Sequence, residues 1–327
     1  MKKIIYFLFL LSGLSACKND LQVNAPWKET AVVYGLLNPS DSFQYVRIER
    51  TYLNDGTSAL RVASIGDSIY FDTLVVALLE FGNNGNFIKA INMTLDQTLP
   101  KDSGLFVNVP NYIYKVAYKI NPTFTYQLNI KNAHTGKEYK STTQIVTPSF
   151  VKNQMKEFFV APARTYKLSV ISGRNSYGYE AKVKFNYSEN DTVAHTLENK
   201  SFEWIFAPLR EINASSGVDQ LEAFITGGLM YDYILQNIKA KPHVKRKMET
   251  CDVWITCAGE ELMNYINLNK PSLGIVQKKP EYSNIENGLG IFSSRDINAK
   301  ELKASDSFNH YLSIYPTTKA LGFIDPF

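Results

Sequence analysis

Gln44-Tyr45-Val46-Arg47-Ile48-Glu49-Arg50-Thr51-Tyr52 alternates, with Val46 and Ile48 facing one way and Arg47, Glu49 and Thr51 the other. A period of two belongs to a strand buried on one face. On the N-terminal side, the apolar run 31–37 ends at Asn38-Pro39-Ser40-Asp41, a turn-forming sequence. On the C-terminal side, a strand at 74–81 is closed by the hairpin loop Gly82-Asn83-Asn84-Gly85-Asn86. Strands at 87–95, 112–119 and 125–131 follow. A turn at 132–136 leads into a strand at 138–146, and Pro148 closes the series. Short strands at regular spacing, with turn chemistry between them, predict an immunoglobulin-like or fibronectin-like β-sandwich over residues 27–148.

Residues 149–327 mix both periods. Strands are expected at 166–171, 177–187, 196–206 and 247–257. Residues 219–239 carry Leu221, Phe224, Ile225, Leu235 and Ile238 at helical spacing, with Ser215 or Ser216 as cap, Gly227-Gly228 as a kink and Pro242 beyond. A short helix over 259–268 presents Leu262, Met263 and Ile266 as its apolar stripe. The expected class is therefore mainly β, a sandwich followed by an α+β domain.

The N-terminus has a different character. Lys2-Lys3, the apolar stretch 4–11 and the run Leu14-Ser15-Ala16-Cys17, with small residues before the cleavage point, make a tripartite export signal. The stretch is shorter than the roughly 20 residues needed to span a bilayer. Cys17 at the cut resembles the lipobox of bacterial lipoproteins, which implies that its sulfur carries acyl chains such as palmitate. Residues 1–16 are then the signal peptide, and 17–26 a polar, lipidated tether. Removing 16 of 327 residues leaves 311, and the loss of Lys2 and Lys3 takes the net charge from +4 to +2. A nearly neutral chain argues against nucleic acid as a partner. The one basic cluster, 239–247 with His243 and Arg246, reads as a solvated connection.

No catalytic, cofactor-binding or metal-ligating constellation emerges, and no cofactor is implied. His134, His195, His243 and His310 are scattered singly, and no phosphate loop, G-x-S-x-G or H-E-x-x-H run occurs. Cys251 and Cys257 would lie about 20 Å apart on one extended strand, beyond disulfide reach, so two buried free thiols are expected. The acidic pairs Glu260-Glu261, Glu189 with Asp191, and Asp67 with Asp72 could serve glycoside hydrolysis. Helix-dipole stabilisation explains Glu260-Glu261 more simply. Tyr177, Tyr179 and Tyr187 share one parity, as one face of a sheet would. Asp67-Ser68-Ile69, Asp72-Thr73-Leu74 and Asp191-Thr192-Val193 match the O-glycosylation acceptor pattern of exported Bacteroidetes proteins.

Three stretches occur in a telling order: Ala31-Val32-Val33-Tyr34-Gly35-Leu36-Leu37 before Val46-Arg47-Ile48, then the strand 253–256 leading into the helix at 260–266, then Asn284-Ile285-Glu286-Asn287-Gly288-Leu289-Gly290-Ile291-Phe292. Together they resemble a family of Bacteroidetes outer-membrane lipoproteins, without assigned catalytic residues, often encoded beside TonB-dependent (SusC-like) receptors. Asn287 stands where the commoner pattern has Gly. By its chemistry alone the last stretch is a tight turn at Asn287-Gly288, a close backbone approach at Gly290 and the start of a core strand. Lys18-Asn19-Asp20 resembles the sequence that sends such lipoproteins to the cell surface. The resemblance implies a non-enzymatic accessory protein, held in the outer membrane by its acyl chains and assisting a TonB-dependent receptor in substrate capture or uptake. The alternatives are an assembly component of a secretion or adhesion complex, or a glycan-acting enzyme.

Overall fold

A computed structural model describes residues 29–51, 61, 65–101, 104, 109–212, 218–270 and 282–327. The chain is mainly β, with 50% of the described residues in strands and 14% in helices. The first body is built from β1 (Ala31–Leu37), β2 (Phe43–Arg50), β3 (Leu74–Phe81), β4 (Phe87–Asn92), β5 (Thr94–Asp96), β6 (Ile113–Ala117), β7 (Thr125–Asn132) and β8 (Glu138–Gln144). Sheet β4-β3-β7-β8 faces the strands β1-β2-β6-β5. The alternation that marks β2 as a strand also fills the space between: Val46 and Ile48 join Val33 and Leu37 against Val76, Leu78, Leu128 and Ile130. Each such side chain, fully buried, stabilises by about 1.5–3 kcal/mol. This is a sandwich-like pair of sheets, as the strand spacing predicts.

The second body contains β9 (Phe150–Val151), β10 (Thr165–Ile171), β11 (Gly178–Asp191), β12 (Thr196–Glu211), β13 (Gln220–Thr226), β14 (Val244–Ala258) and β15 (Leu289–Lys303). Sheet β13-β10-β9 lies over the inner face of β11 and β14, where Leu168, Val170 and Ile225 meet Val183, Phe185 and Ile255. Three helices complete it: α2 (Gly227–Asn237), α3 (Glu260–Asn269) and α4 (Asp306–Ile314), after the single-turn α1 (Gly66–Ile69) of the first body. Phe158 stacks edge-on to Phe185 at 5.8 Å and lies 5.4 Å from Phe308 of α4, binding the layers together.

One expectation is overturned here. Residues 220–226 are strand, not the first half of a helix: Leu221, Ala223 and Ile225 are buried while Phe224 is exposed, a period of two. Gly227 marks the change of structure rather than a kink. A Cβ there would stand 2.1 Å from the carbonyl oxygen of Ala161, so the chain passes where only glycine fits. The proposed caps Ser215 and Ser216 lie outside the described residues. Helix α4 has a readable start that the spacing of apolar residues does not reveal: the Ser305 hydroxyl accepts from the Phe308 amide at 3.1 Å.

The two bodies share a strand. Residues 289–294 of β15 run parallel to β1, Val32 opposite Leu289, and residues 295–303 then pair antiparallel with β14. One eight-stranded sheet, β12-β11-β14-β15-β1-β2-β6-β5, therefore crosses residue 148 without a break. The parallel pairing needs two unusual residues where it begins, one just before it and one within it. Asn287 has φ 61°, a left-handed conformation that Gly or Asn supplies, which accounts for Asn at a position where Gly is common. Gly290 has φ 102°, and a Cβ there would lie 2.1 Å from the Val33 carbonyl oxygen. Gly290→Ala is expected to destabilise by at least about 1–3 kcal/mol through backbone strain alone. Chemical denaturation would read it; an unchanged midpoint would contradict the close approach.

Candidate functional site

Cys17 and the tether 17–26 lie outside the described residues. Cys251 and Cys257 are buried free thiols. Burial, with Asp296 nearby, pushes the Cys257 thiol up to about 11, and burial raises Cys251 as well, so neither is a ready nucleophile at neutral pH. The four histidines fall in the β7–β8 turn (His134), the β11–β12 turn (His195), the approach to β14 (His243) and α4 (His310, paired with Asp325 at 2.9 Å). Among the described residues, no His, Cys, Asp and Glu groups cluster as a metal site would require. Tyr179 and Tyr187 are core residues.

Members of two of the acidic pairs have structural duties. Glu261 accepts from the hydroxyls of Thr143 at 3.0 Å and Ser293 at 2.8 Å, tying α3 to β8 and β15. Asp191 holds its turn by accepting from the Val193 and Ala194 amides, both at 2.9 Å. The Asp191-Thr192-Val193 acceptor pattern thus sits in the β11–β12 turn; the side chain of Asp67 lies outside the described residues. Asp296, 1% exposed, accepts from Ser40 at 3.0 Å and from both the amide and hydroxyl of Ser149 at 2.7 Å, where the two bodies meet.

Arg246 corrects the reading of 239–247 as a solvated connection. It is 1% exposed and enters an ion pair with Glu189 at 2.7 Å. Its remaining donors reach the carbonyl oxygens of Leu321 and, at 3.0 Å, Lys239. The neighbouring lysines of the cluster stay exposed, which is why composition alone misplaces this one cation. Burial pushes the Glu189 carboxyl up, but hydrogen bonds from Lys200 (2.6 Å) and Arg246 outweigh it and leave it below the ordinary 4.5. A carboxyl depressed in the folded state adds stability above its unfolded pKa, and that stability is lost as the pH falls through the folded value. Glu189→Gln is expected to cost about 3–5 kcal/mol by leaving a buried guanidinium uncompensated. Urea titration from neutral pH to below 4.5 should show the parent losing stability that the variant has already lost.

An open recess lies at the other end of the large sheet. Strands β5 and β6 form its edge, and Phe43, Asn92, Leu95, Asp96, Thr98 and Lys115 border an open groove of about 780 Å³. Asp96 accepts from the hydroxyl and the amide of Thr98, both at 2.7 Å, and lies 3.3 Å from Lys115. Those hydrogen bonds, with Lys115, hold its carboxyl below the ordinary range, so it is ionised and not a proton donor at neutral pH. Lys115 also rests over the Phe43 ring at 4.6 Å. Exposed Phe43 and Leu95, a fixed charge pair and a strand edge that is unshared among the described residues make a surface suited to binding extended, part-apolar segments. Nothing in the spacing of Asp96 and Lys115 announces this; strand pairing of Thr94 with Lys115 brings them together. A second, narrower crevice, with about 30 Å³ of free volume between Met155, Leu168, Val253 and Lys300, is apolar and enclosed by the second body. Leu95→Arg should leave stability within about 0.5 kcal/mol; a larger loss in thermal unfolding would mean that the groove is core rather than surface.

Neither a protein-family model nor a curated protein matches this sequence. Among solved structures, the C-terminal globular domain of an oligosaccharyltransferase from Pyrococcus abyssi is 10% identical, with a TM-score of 0.26, over 85% of this chain and 49% of that one. The native conformation of E. coli alpha-2-macroglobulin is 7% identical, with a TM-score of 0.20, over 86% of this chain and 14% of that one. AvmM, which catalyses macrocyclization in alchivemycin A biosynthesis, is 10% identical, with a TM-score of 0.18, over 50% of this chain and 92% of that one. The chain thus spans about half the length of the first of these and a small part of the second. Similarity at this level assigns neither fold nor activity.

Proposed function

We propose that this protein is a non-enzymatic accessory lipoprotein, anchored in the outer membrane through acyl chains on Cys17, that assists a TonB-dependent receptor in substrate capture or uptake. The observation that carries the anchor is Leu14-Ser15-Ala16-Cys17 behind a short apolar stretch. Support for a binding rather than a chemical role comes from the groove, where Asp96 is committed to Lys115 and to Thr98. Anchoring beside a receptor would raise the effective concentration of even weak contacts. The receptor itself rests on the family resemblance of residues 31–37, 253–266 and 284–292.

A specific observation favours a second reading, an assembly component of a secretion or adhesion complex. Among the described residues strand β4 pairs only with β3, and Phe87 (57% exposed) and Ile88 stand on it in solvent. Such an edge suits strand pairing with another subunit. One experiment separates the two. Cells carrying a tagged parent or Cys17→Ser are fractionated, and the membrane fraction is solubilised and captured. The parent should pellet with the outer membrane and bring down a TonB-dependent receptor, and Cys17→Ser should do neither. Equal pelleting of both forms would defeat the anchor, and recovery of a secretion or adhesin subunit without a receptor would favour the alternative.

A further inference from the structure

The place where the chain enters the first body sets which end of the molecule can meet a membrane. Glu29 is fastened at one end of the sandwich. Lys137 donates to its carbonyl oxygen at 2.7 Å, Asn132 donates to its carboxylate at 3.3 Å, and Arg50 lies 3.8 Å from the same group. Thr51 donates its amide to the Thr30 carbonyl at 2.9 Å. The exposed β7–β8 turn, residues 133–136, and the start of β15 at Leu289, opposite Val32, share this end.

From there the shared strand leads away. Strand β15 leaves parallel to β1, and its 15 residues, at about 3.3 Å each, extend for roughly 50 Å. Its far part pairs with β14 so that Lys303 faces Thr250, and β14 continues on to Val244, opposite Asp191. The β11–β12 turn, with exposed Val193, is therefore the point farthest from Glu29 along the sheet. Eleven residues, 18–28, separate Cys17 from Glu29. Covalent geometry caps their reach at about 40 Å. That is less than β15 alone, so the connection is too short for the molecule to stand inverted, with the β11–β12 turn on the lipid and Glu29 uppermost.

Resting on the acylation of Cys17, we infer that the end formed by Glu29–Thr30, Arg50–Thr51 and the 133–136 turn faces the lipid surface, and that the second body is held on the distal side with the β11–β12 turn outermost. Lys131 and Lys137, beside Glu138, face the headgroups, a mixed-charge surface that neither repels nor requires anionic lipid. The groove at Phe43 and Lys115 lies towards the end of the sandwich away from Glu29, since Phe43 begins β2 and Arg50 ends it.

Energy transfer to labelled lipid tests this on the full acylated protein. His134→Cys and Val193→Cys are each labelled with a donor fluorophore; the native thiols are buried. Each protein is placed in vesicles of phosphatidylethanolamine and phosphatidylglycerol carrying an acceptor-labelled lipid. Flotation is scored first, and Thr135→Cys repeats the proximal measurement in case His134→Cys folds poorly. Transfer from position 134 or 135 should exceed that from 193 several-fold. Protein that floats but transfers equally from both positions, or more from 193, overturns the orientation while leaving the anchor intact. Protein that fails to float overturns the acylation and the orientation with it.

Discussion

The shared strand β15 is the constraint on which the rest of the structure depends. Two bodies usually meet through side chains; here a single backbone supplies hydrogen bonds to both, first to β1 and then to β14. Relative movement of the bodies would have to break main-chain pairing. The crossing point is reinforced by groups that satisfy one another in a dry environment. Asp296 gathers three donors from Ser40 and Ser149, Ser294 accepts from the Val146 amide at 3.0 Å, and Glu261 bridges Thr143 and Ser293. Removing one partner from such a set leaves buried polar atoms unpaired, at about 1–3 kcal/mol each.

The far end of the second body is held differently, by charge. Arg246 draws together β11 through Glu189, the end of the α2 connection through the Lys239 carbonyl, and the C-terminal segment through the Leu321 carbonyl. A planar cation with five donors can serve three chain segments at once, which an apolar residue of the same volume could not. The C-terminal segment adds backbone pairing of its own, Arg246 donating to Gly322 at 2.8 Å and Ile324 donating to Arg246 at 2.9 Å. Residues far apart in sequence are therefore oriented by one side chain.

Much of the strand layout could be read from local pattern, because one buried face per strand writes itself into the sequence with period two. Residues 74–81 and 31–37 have the observed limits of β3 and β1, and the close approach at Gly290 follows from its turn chemistry. The reading failed where two periods overlap. Leu221, Phe224 and Ile225 satisfy helical spacing, yet Leu221, Ala223 and Ile225 are the buried set, because pairing with β10 overrides local preference. Features that depend on long-range pairing left no local trace. The switch of β15 from one body to the other, the burial of Arg246 among exposed lysines, and the meeting of Asp96 with Lys115 all arise from contacts between distant residues. The anchor is the reverse case, legible at Cys17 by motif alone.

The pairing of Val32 with Leu289 has a consequence for the order in which the molecule can assemble. Strand β1 precedes its parallel neighbour by about 250 residues of chain. Until the two pair, the Ala31–Leu37 edge is open and the Phe292 ring is missing from the first core. Pairing across so long an intervening loop is intrinsically slow. The first body therefore remains unfinished until residues 289–294 are available to it, and neither half can lock into its final form without the other.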